Sequence, residues 1–217
     1  MEGDFEARFR GAFNQEDKEL CITLVQSALQ SKTIGLIDLY TKILAPALNE
    51  IACTSDDFLC IWHEHIKTGI IRTILEFCYP WVLKLREEMK FEKTEKTIMV
   101  FCPPDEYHEL GARMAADFFT VVGFRVIYVG NNTPRKSYLS AIEKIQPAFV
   151  AISISNPYHL FQTREVIQQI RNSCPSSLKI IVGGQAFRKN PDAYKEIGAD
   201  LCIQSFDQIV AFRRDQA

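Results

Sequence analysis

Thr97-Ile98-Met99-Val100-Phe101-Cys102 runs directly into Pro103-Pro104-Asp105-Glu106-Tyr107-His108-Glu109-Leu110-Gly111. The first stretch is short, apolar and without alternation, the pattern of a strand buried on both faces. Further runs of this kind are Arg125-Val126-Ile127-Tyr128-Val129, Phe149-Val150-Ala151-Ile152-Ser153, Lys179-Ile180-Ile181-Val182 and Leu201-Cys202-Ile203. Helical stretches separate them at about 107–122, 135–145, 158–173 and 191–197. Strands that alternate with helices predict a five-stranded parallel sheet with helices on both faces. Ligands of such sheets bind beyond the carboxyl ends of the strands.

Upstream of this segment the pattern differs. Leu20, Leu24, Ala28 and Leu29 recur at helical spacing, as do Ile37, Leu39, Tyr40, Ile43, Leu44 and Leu48. Ser31-Lys32-Thr33-Ile34-Gly35 separates the two helices, and Pro46 is expected to kink or break the second. A third helix is expected from about Ser55 or Asp56, with Ser55 as its N-cap. Pro80 is expected to interrupt it or to start a fourth helix ending near Lys90. The charged stretch 90–96 reads as a linker. The expected architecture is α/β: an N-terminal four-helix bundle over residues 1–90, then a Rossmann-like (flavodoxin-like) five-stranded parallel sheet domain over residues 91–217.

The 217 residues are 47% hydrophobic, enough for a substantial core, and carry a net charge of −2. That balance argues against a general nucleic-acid or membrane-surface role. No apolar run reaches the length of a membrane helix, and the acidic start Met1-Glu2-Gly3-Asp4-Phe5-Glu6 is not a secretory signal. The 7 cysteines include no Cys-x-x-Cys pair. They are expected to be reduced core residues of a cytoplasmic protein.

Three segments gather at one edge of the expected sheet: Glu106 to Gly111 after the first strand, Ser153-Ile154-Ser155 at the end of the third, and Gly183-Gly184 after the fourth. Together they offer an imidazole, a carboxylate to orient it, hydroxyls and bare backbone. Each piece has an ordinary reading too. A histidine at a helix start is commonly a surface or capping residue, Gly-Gly a turn device, and serine a satisfied loop hydroxyl.

The combination resembles the cobalamin (vitamin B12)-binding domain family. Its pattern is Asp/Glu-x-His-x-x-Gly, then Ser-x-Leu or Ser-x-Thr, then Gly-Gly. Glu106-Tyr107-His108-Glu109-Leu110-Gly111 matches the first element, Ser153-Ile154-Ser155 the second with serine in its last place, and Gly183-Gly184 the third. The resemblance implies base-off, His-on cobalamin with His108 as the axial ligand to cobalt. Neutral imidazole is a common transition-metal ligand, and Glu106 would accept from its other ring nitrogen. Gly111 would let the nucleotide loop approach. Ser153 and Ser155 would offer hydroxyls to the buried tail, and Gly183 and Gly184 would let the backbone pass close to the benzimidazole.

The helical half resembles the cap of light-sensing cobalamin regulators, in which a bundle covers the upper corrin face. Their Glu-His pair is matched by Glu64-His65, with Trp62 nearby. The tryptophan expected about ten positions earlier falls at Thr54, with Ser55 as its successor. This departure implies reduced selectivity for adenosylcobalamin. Trp62 is otherwise read as a core residue, and Glu64 and His65 as helix-surface residues. The resemblance favours a cobalamin-binding regulatory or sensory protein, a possible photoreceptor acting in transcription regulation. A corrinoid methyl carrier of a methyltransferase system is the alternative. Adenosylcobalamin, methylcobalamin and hydroxocobalamin are all candidate forms. No DNA-binding module is recognised, so regulation implies a protein partner, and a homo-oligomer is open. No substrate-converting site is recognised.

Overall fold

A computed structural model describes residues 2–51, 58–175 and 177–216. The chain divides into two compact units, Met1–Leu85 and Arg86–Ala217.

The first unit is helical: α1 (Glu2–Asn14), α2 (Lys18–Gln30), α3 (Leu36–Asp38), a π-helical segment (Leu39–Leu44), α4 (Ala45–Asn49) and most of α5 (Phe58–Met89). The longer helices bury a stripe at helical spacing. In α1 the stripe is Phe5, Phe9, Ala12 and Phe13; in α2 it is Cys21, Leu24, Val25, Ala28 and Leu29. Asp17 caps α2 by accepting from the Leu20 N–H at 2.9 Å. The expected break at Ser31–Gly35 is present, with Lys32 at φ +56° and Gly35 at the N-cap of α3.

Pro46 falls where the helix geometry changes, and Pro80 departs from expectation. Residues 36–49 stay helical past Pro46, and the turns just before it are π-helical. The Ala45 N–H bonds back to Tyr40, five residues away, and this wider turn absorbs the proline ring that would crowd an α-helix. Pro80 lies inside α5 without ending it. It faces solvent, where water can satisfy the carbonyl that loses its N–H partner. The expected N-cap Ser55, and Thr54 at the expected tryptophan position, lie outside the described residues. Cys21, Cys78, Cys102, Cys174 and Cys202 are outside disulfides. Cys60 is disulfide-bonded, which corrects the reading of uniformly reduced cysteines; it is only partly buried near the start of α5.

The second unit contains β1 (Thr97–Phe101), α6 (Leu110–Val121), β2 (Arg125–Gly130), α7 (Arg135–Ile145), β3 (Phe149–Ser153), α8 (Leu160–Ser173), β4 (Lys179–Gly183), α9 (Ala193–Glu196), β5 (Leu201–Cys202) and α10 (Phe206–Asp215). The 5-stranded sheet has the order β2-β1-β3-β4-β5, and every pairing is parallel. This is the expected Rossmann-like arrangement in its flavodoxin-like order. β1 is buried along its whole length. On one face Phe101 stacks on Tyr138 with ring centroids 5.2 Å apart. Elsewhere in the unit Phe124, Phe149 and Phe212 pack together, with centroids 5.1 to 5.8 Å apart.

The strand order reverses between β1 and β3, and this switch point opens a crevice at their carboxyl ends. The register of β1 against β2 also slips between Val100 and Phe101, where the chain leaves the sheet.

Candidate functional site

The crevice is organised around one carboxylate. Glu106 is fully buried on the loop that leaves β1, and both of its oxygens accept hydrogen bonds. Oε1 takes the His108 backbone N–H at 3.1 Å and lies 2.6 Å from His108 Nδ1. Oε2 takes the backbone N–H groups of Ser155 at 2.9 Å and Asn156 at 3.0 Å, and lies 3.3 Å from His159 Nδ1. Glu106 thus ties the loop after β1 to the loop after β3.

Burial alone would raise the Glu106 pKa. The His108 imidazole and the N–H groups of Asn156, His108 and Ser155 outweigh burial and hold it at about 2. An ionised carboxylate only accepts, so His108 presents Nδ1–H to it. That tautomer leaves the lone pair on Nε2, which is the arrangement a metal-ligating imidazole requires. The His108 side chain is 60% exposed and therefore accessible from outside. His108 does not start a helix, as the sequence suggested: residues 105–109 form a loop, with Asp105 at φ +61°, and α6 begins at Leu110. The buried anchor of Glu106 holds this loop clear of helical geometry.

Neighbouring contacts stiffen the rim. Glu109 Oε2 accepts from the Tyr128 hydroxyl at 3.2 Å and from the Asn131 N–H at 3.2 Å. Burial first, then the Glu109 carboxylate, pushes the Tyr128 phenol well above its ordinary range. Gln162, in the first turn of α8, donates to Asp105 Oδ2 at 3.0 Å, which ties the β1 loop to that helix.

The glycines of the motif differ in what they answer to. A Cβ on Gly183 would lie 2.4 Å from the Ile203 carbonyl oxygen. Gly184 has φ +104°, and its Cβ would lie 2.4 Å from the Ile154 carbonyl oxygen. The protein's own backbone therefore demands glycine at both places. Gly111, in the first turn of α6, has nothing within 4 Å of a Cβ position. Nothing in the chain itself requires a glycine there, and the space is open to a ligand.

Ser153 ends β3 opposite Gly183. Ser155 supplies its backbone N–H to Glu106. The structure thus joins His108 and Ser155 through the two oxygens of Glu106. Trp62, Glu64 and His65 belong to the helical unit, on α5. Trp62 is 66% exposed there, which overturns the reading of it as core. His65 is exposed and Glu64 half-buried. Sequence reasoning missed His159 and Asn156. The signal was available in Asn156-Pro157-Tyr158-His159: Asn156 caps a 3-10 turn opened by Pro157, accepting from the Tyr158 N–H, and that turn carries His159 back to Glu106.

The B12 binding domain family matches residues 96–211. The chain belongs to this family. It binds cobalamin, and the donor set fits it: a single accessible imidazole, oriented by a buried carboxylate, beside an open glycine. Trimethylamine corrinoid protein 1 of Methanosarcina acetivorans is 22% identical over 207 residues, spanning 94% of this chain and 93% of that protein. The HTH-type transcriptional repressor CarA of Myxococcus xanthus is 23% identical over 182 residues, 83% of this chain but 59% of the repressor. Among solved structures, the monomethylamine corrinoid protein of Methanosarcina barkeri superposes with a TM-score of 0.80 at 14% identity, covering 100% of both chains; that likeness concerns the fold. No helix among the described residues is long and apolar enough to cross a membrane.

Proposed function

We propose that this member of the B12 binding domain family is a corrinoid methyl carrier, the alternative of the sequence reading. The observation that carries it is the extent of the likeness to trimethylamine corrinoid protein 1, which takes in 94% of this chain and 93% of that protein and so both units. Bound cobalamin would supply the cobalt chemistry of methyl transfer, and His108, oriented by Glu106, would hold the metal. Gly111 leaves room for the nucleotide loop. Residues 1–90 form the helical cap domain and residues 91–217 the cobalamin-binding domain. The expected partners are cobalamin and a methyltransferase. The test is to load the full chain with reduced cobalamin and offer methyl donors together with candidate methyltransferases. Growth of the methylcobalamin absorption bands, dependent on His108, is the expected result. No methylation by any donor and methyltransferase, with photolysis-dependent assembly instead, would sink it.

The regulatory reading is favoured by separate observations: the likeness to CarA over 83% of this chain and the Glu64-His65 pair on α5. Under it, Trp62, Glu64 and His65 contact the upper corrin face and the protein answers to light through a partner.

A further inference from the structure

Two imidazoles share one buried carboxylate. His108 Nδ1 lies 2.6 Å from Glu106 Oε1, and His159 Nδ1 lies 3.3 Å from Glu106 Oε2. The two histidines sit on different elements: His108 on the loop after β1, and His159 in the 3-10 turn (Pro157–His159) after β3. We infer that His159 is a positioning residue that sets, through Glu106, how strongly His108 donates to cobalt. The inference rests on His108 being the axial ligand.

Shared charge couples the two imidazoles. Glu106 is fully buried and acts as an acceptor. Each N–H that it accepts draws negative charge onto that bond and away from the others. A stronger pull by Glu106 on the Nδ1–H of His108 makes the imidazole more basic and a stronger ligand. By donating to the opposite oxygen, His159 weakens that pull. It is not needed to hold the carboxylate in place, since Ser155 and Asn156 anchor Oε2 at 2.9 and 3.0 Å. The His159 side chain is 20% exposed, so its bond to Glu106 is shielded from most competition by water. The backbone fixes the ring's position: the His159 N–H bonds to the Asn156 carbonyl at 3.0 Å, and the Thr163 hydroxyl donates to the His159 carbonyl at 2.8 Å.

Such a residue acts with a sign opposite to that of a structural prop. Losing His159 would concentrate the pull of Glu106 on His108 and strengthen the axial bond. Losing a prop would loosen Glu106 and weaken it. The test uses the full chain loaded with cobalamin, comparing wild type with His159→Ala, His159→Asn and His108→Ala. The readouts are the absorption spectrum, the dissociation constant for cobalamin and the midpoint potential of the bound cobalt. His159→Ala is expected to keep the His-on spectrum, to bind cobalamin more tightly by up to about tenfold, the low end of what such partners command, and to shift the potential negative. His159→Asn keeps an N–H donor near the same place and is expected to return all readouts toward wild type. Should His159→Ala fail to fold, His159→Phe, which keeps a ring without the donor, makes the same comparison. Readouts unchanged in the variant lacking the donor, or a spectrum turned His-off, would overturn the inference. A wild-type spectrum in His108→Ala would instead overturn the ligand assignment on which it rests.

Discussion

Gly184 sits at φ +104° with a would-be Cβ 2.4 Å from the Ile154 carbonyl oxygen, whereas Gly111 has nothing within 4 Å. The two therefore respond oppositely to a methyl group. Gly184→Ala pays both backbone strain, on the order of 1–3 kcal/mol, and a clash with main chain. A large fall in the melting temperature of the cobalamin-free protein is expected. Gly111→Ala relieves a helical glycine and is expected to stabilise the cobalamin-free protein by up to about 1 kcal/mol, while weakening cobalamin binding in a titration followed by absorbance. Both residues were legible as motif members, but the sequence held no sign that one serves the chain's own backbone and the other an open space. Glu106 yields a prediction in pH. Its carboxyl is held at about 2 against an ordinary 4.5, so its contribution to stability is whole above about pH 4.5 and lost as pH falls through 2. The lowered value corresponds to about 3 kcal/mol across that window. Urea unfolding at a series of pH values from 5 to 2 is expected to show a steeper loss of stability in wild type than in Glu106→Gln. The sequence named Glu106 as the partner of His108. It hid His159, because a contact spanning 53 positions depends on β1 and β3 being neighbours.

At the scale of elements, β1 to β4 were legible because each is a largely apolar run, and the sheet buries β1, β3 and β4 through most of their length, while β2 lies at its edge. α10 was missed, although Ser205 followed by Gln208 is a helix-start signal. Ser205 accepts from the Gln208 N–H at 3.2 Å, and Gln208 accepts in turn from the Gln204 N–H at 2.6 Å. What α10 does was not readable locally. Its Arg213 is buried and reaches back to the Val122 carbonyl at 3.1 Å and the Glu92 carbonyl at 2.8 Å, with its guanidinium over the Phe124 ring. These bonds join the last helix to the segment before β1 and the turn after α6. Arg213→Ala removes the donors and leaves the carbonyls unpaired, which costs about 1–3 kcal/mol per buried group left unmade. A clear drop in chemical-denaturation stability is expected. Arg213→Lys should recover only part of it, since one ammonium cannot reproduce the planar fork of the guanidinium.

At the scale of the molecule, the site follows from topology. The order β2-β1-β3-β4-β5 places the loops after β1 and β3 side by side at the switch point, and that adjacency lets one carboxylate bridge Oε1 to His108 and Oε2 to Ser155, Asn156 and His159. A parallel sheet alone was evident from alternating strands and helices; the choice between carrier and regulator was not, because both are expected to hold the cofactor with the same motif. They differ in what the helical unit must do. A light sensor keeps a photolabile alkyl group capped and changes its contacts when the group leaves. A carrier must give partner proteins access to the cobalt, so its helical unit cannot clamp the alkyl group permanently. In this chain the first turns of α5 are open: Leu59, Ile61 and Trp62 are 61–66% exposed within the helical unit, and continuous burial on α5 begins only at Ile70 and Ile71. Under the carrier reading, illumination of the adenosylcobalamin complex is expected to cleave the alkyl group with no change in assembly by sizing chromatography. His65→Ala is then expected to leave both photolysis and assembly as in wild type. A light-dependent change of assembly that disappears in His65→Ala would make α5 a sensing element and reverse the preference between the two readings.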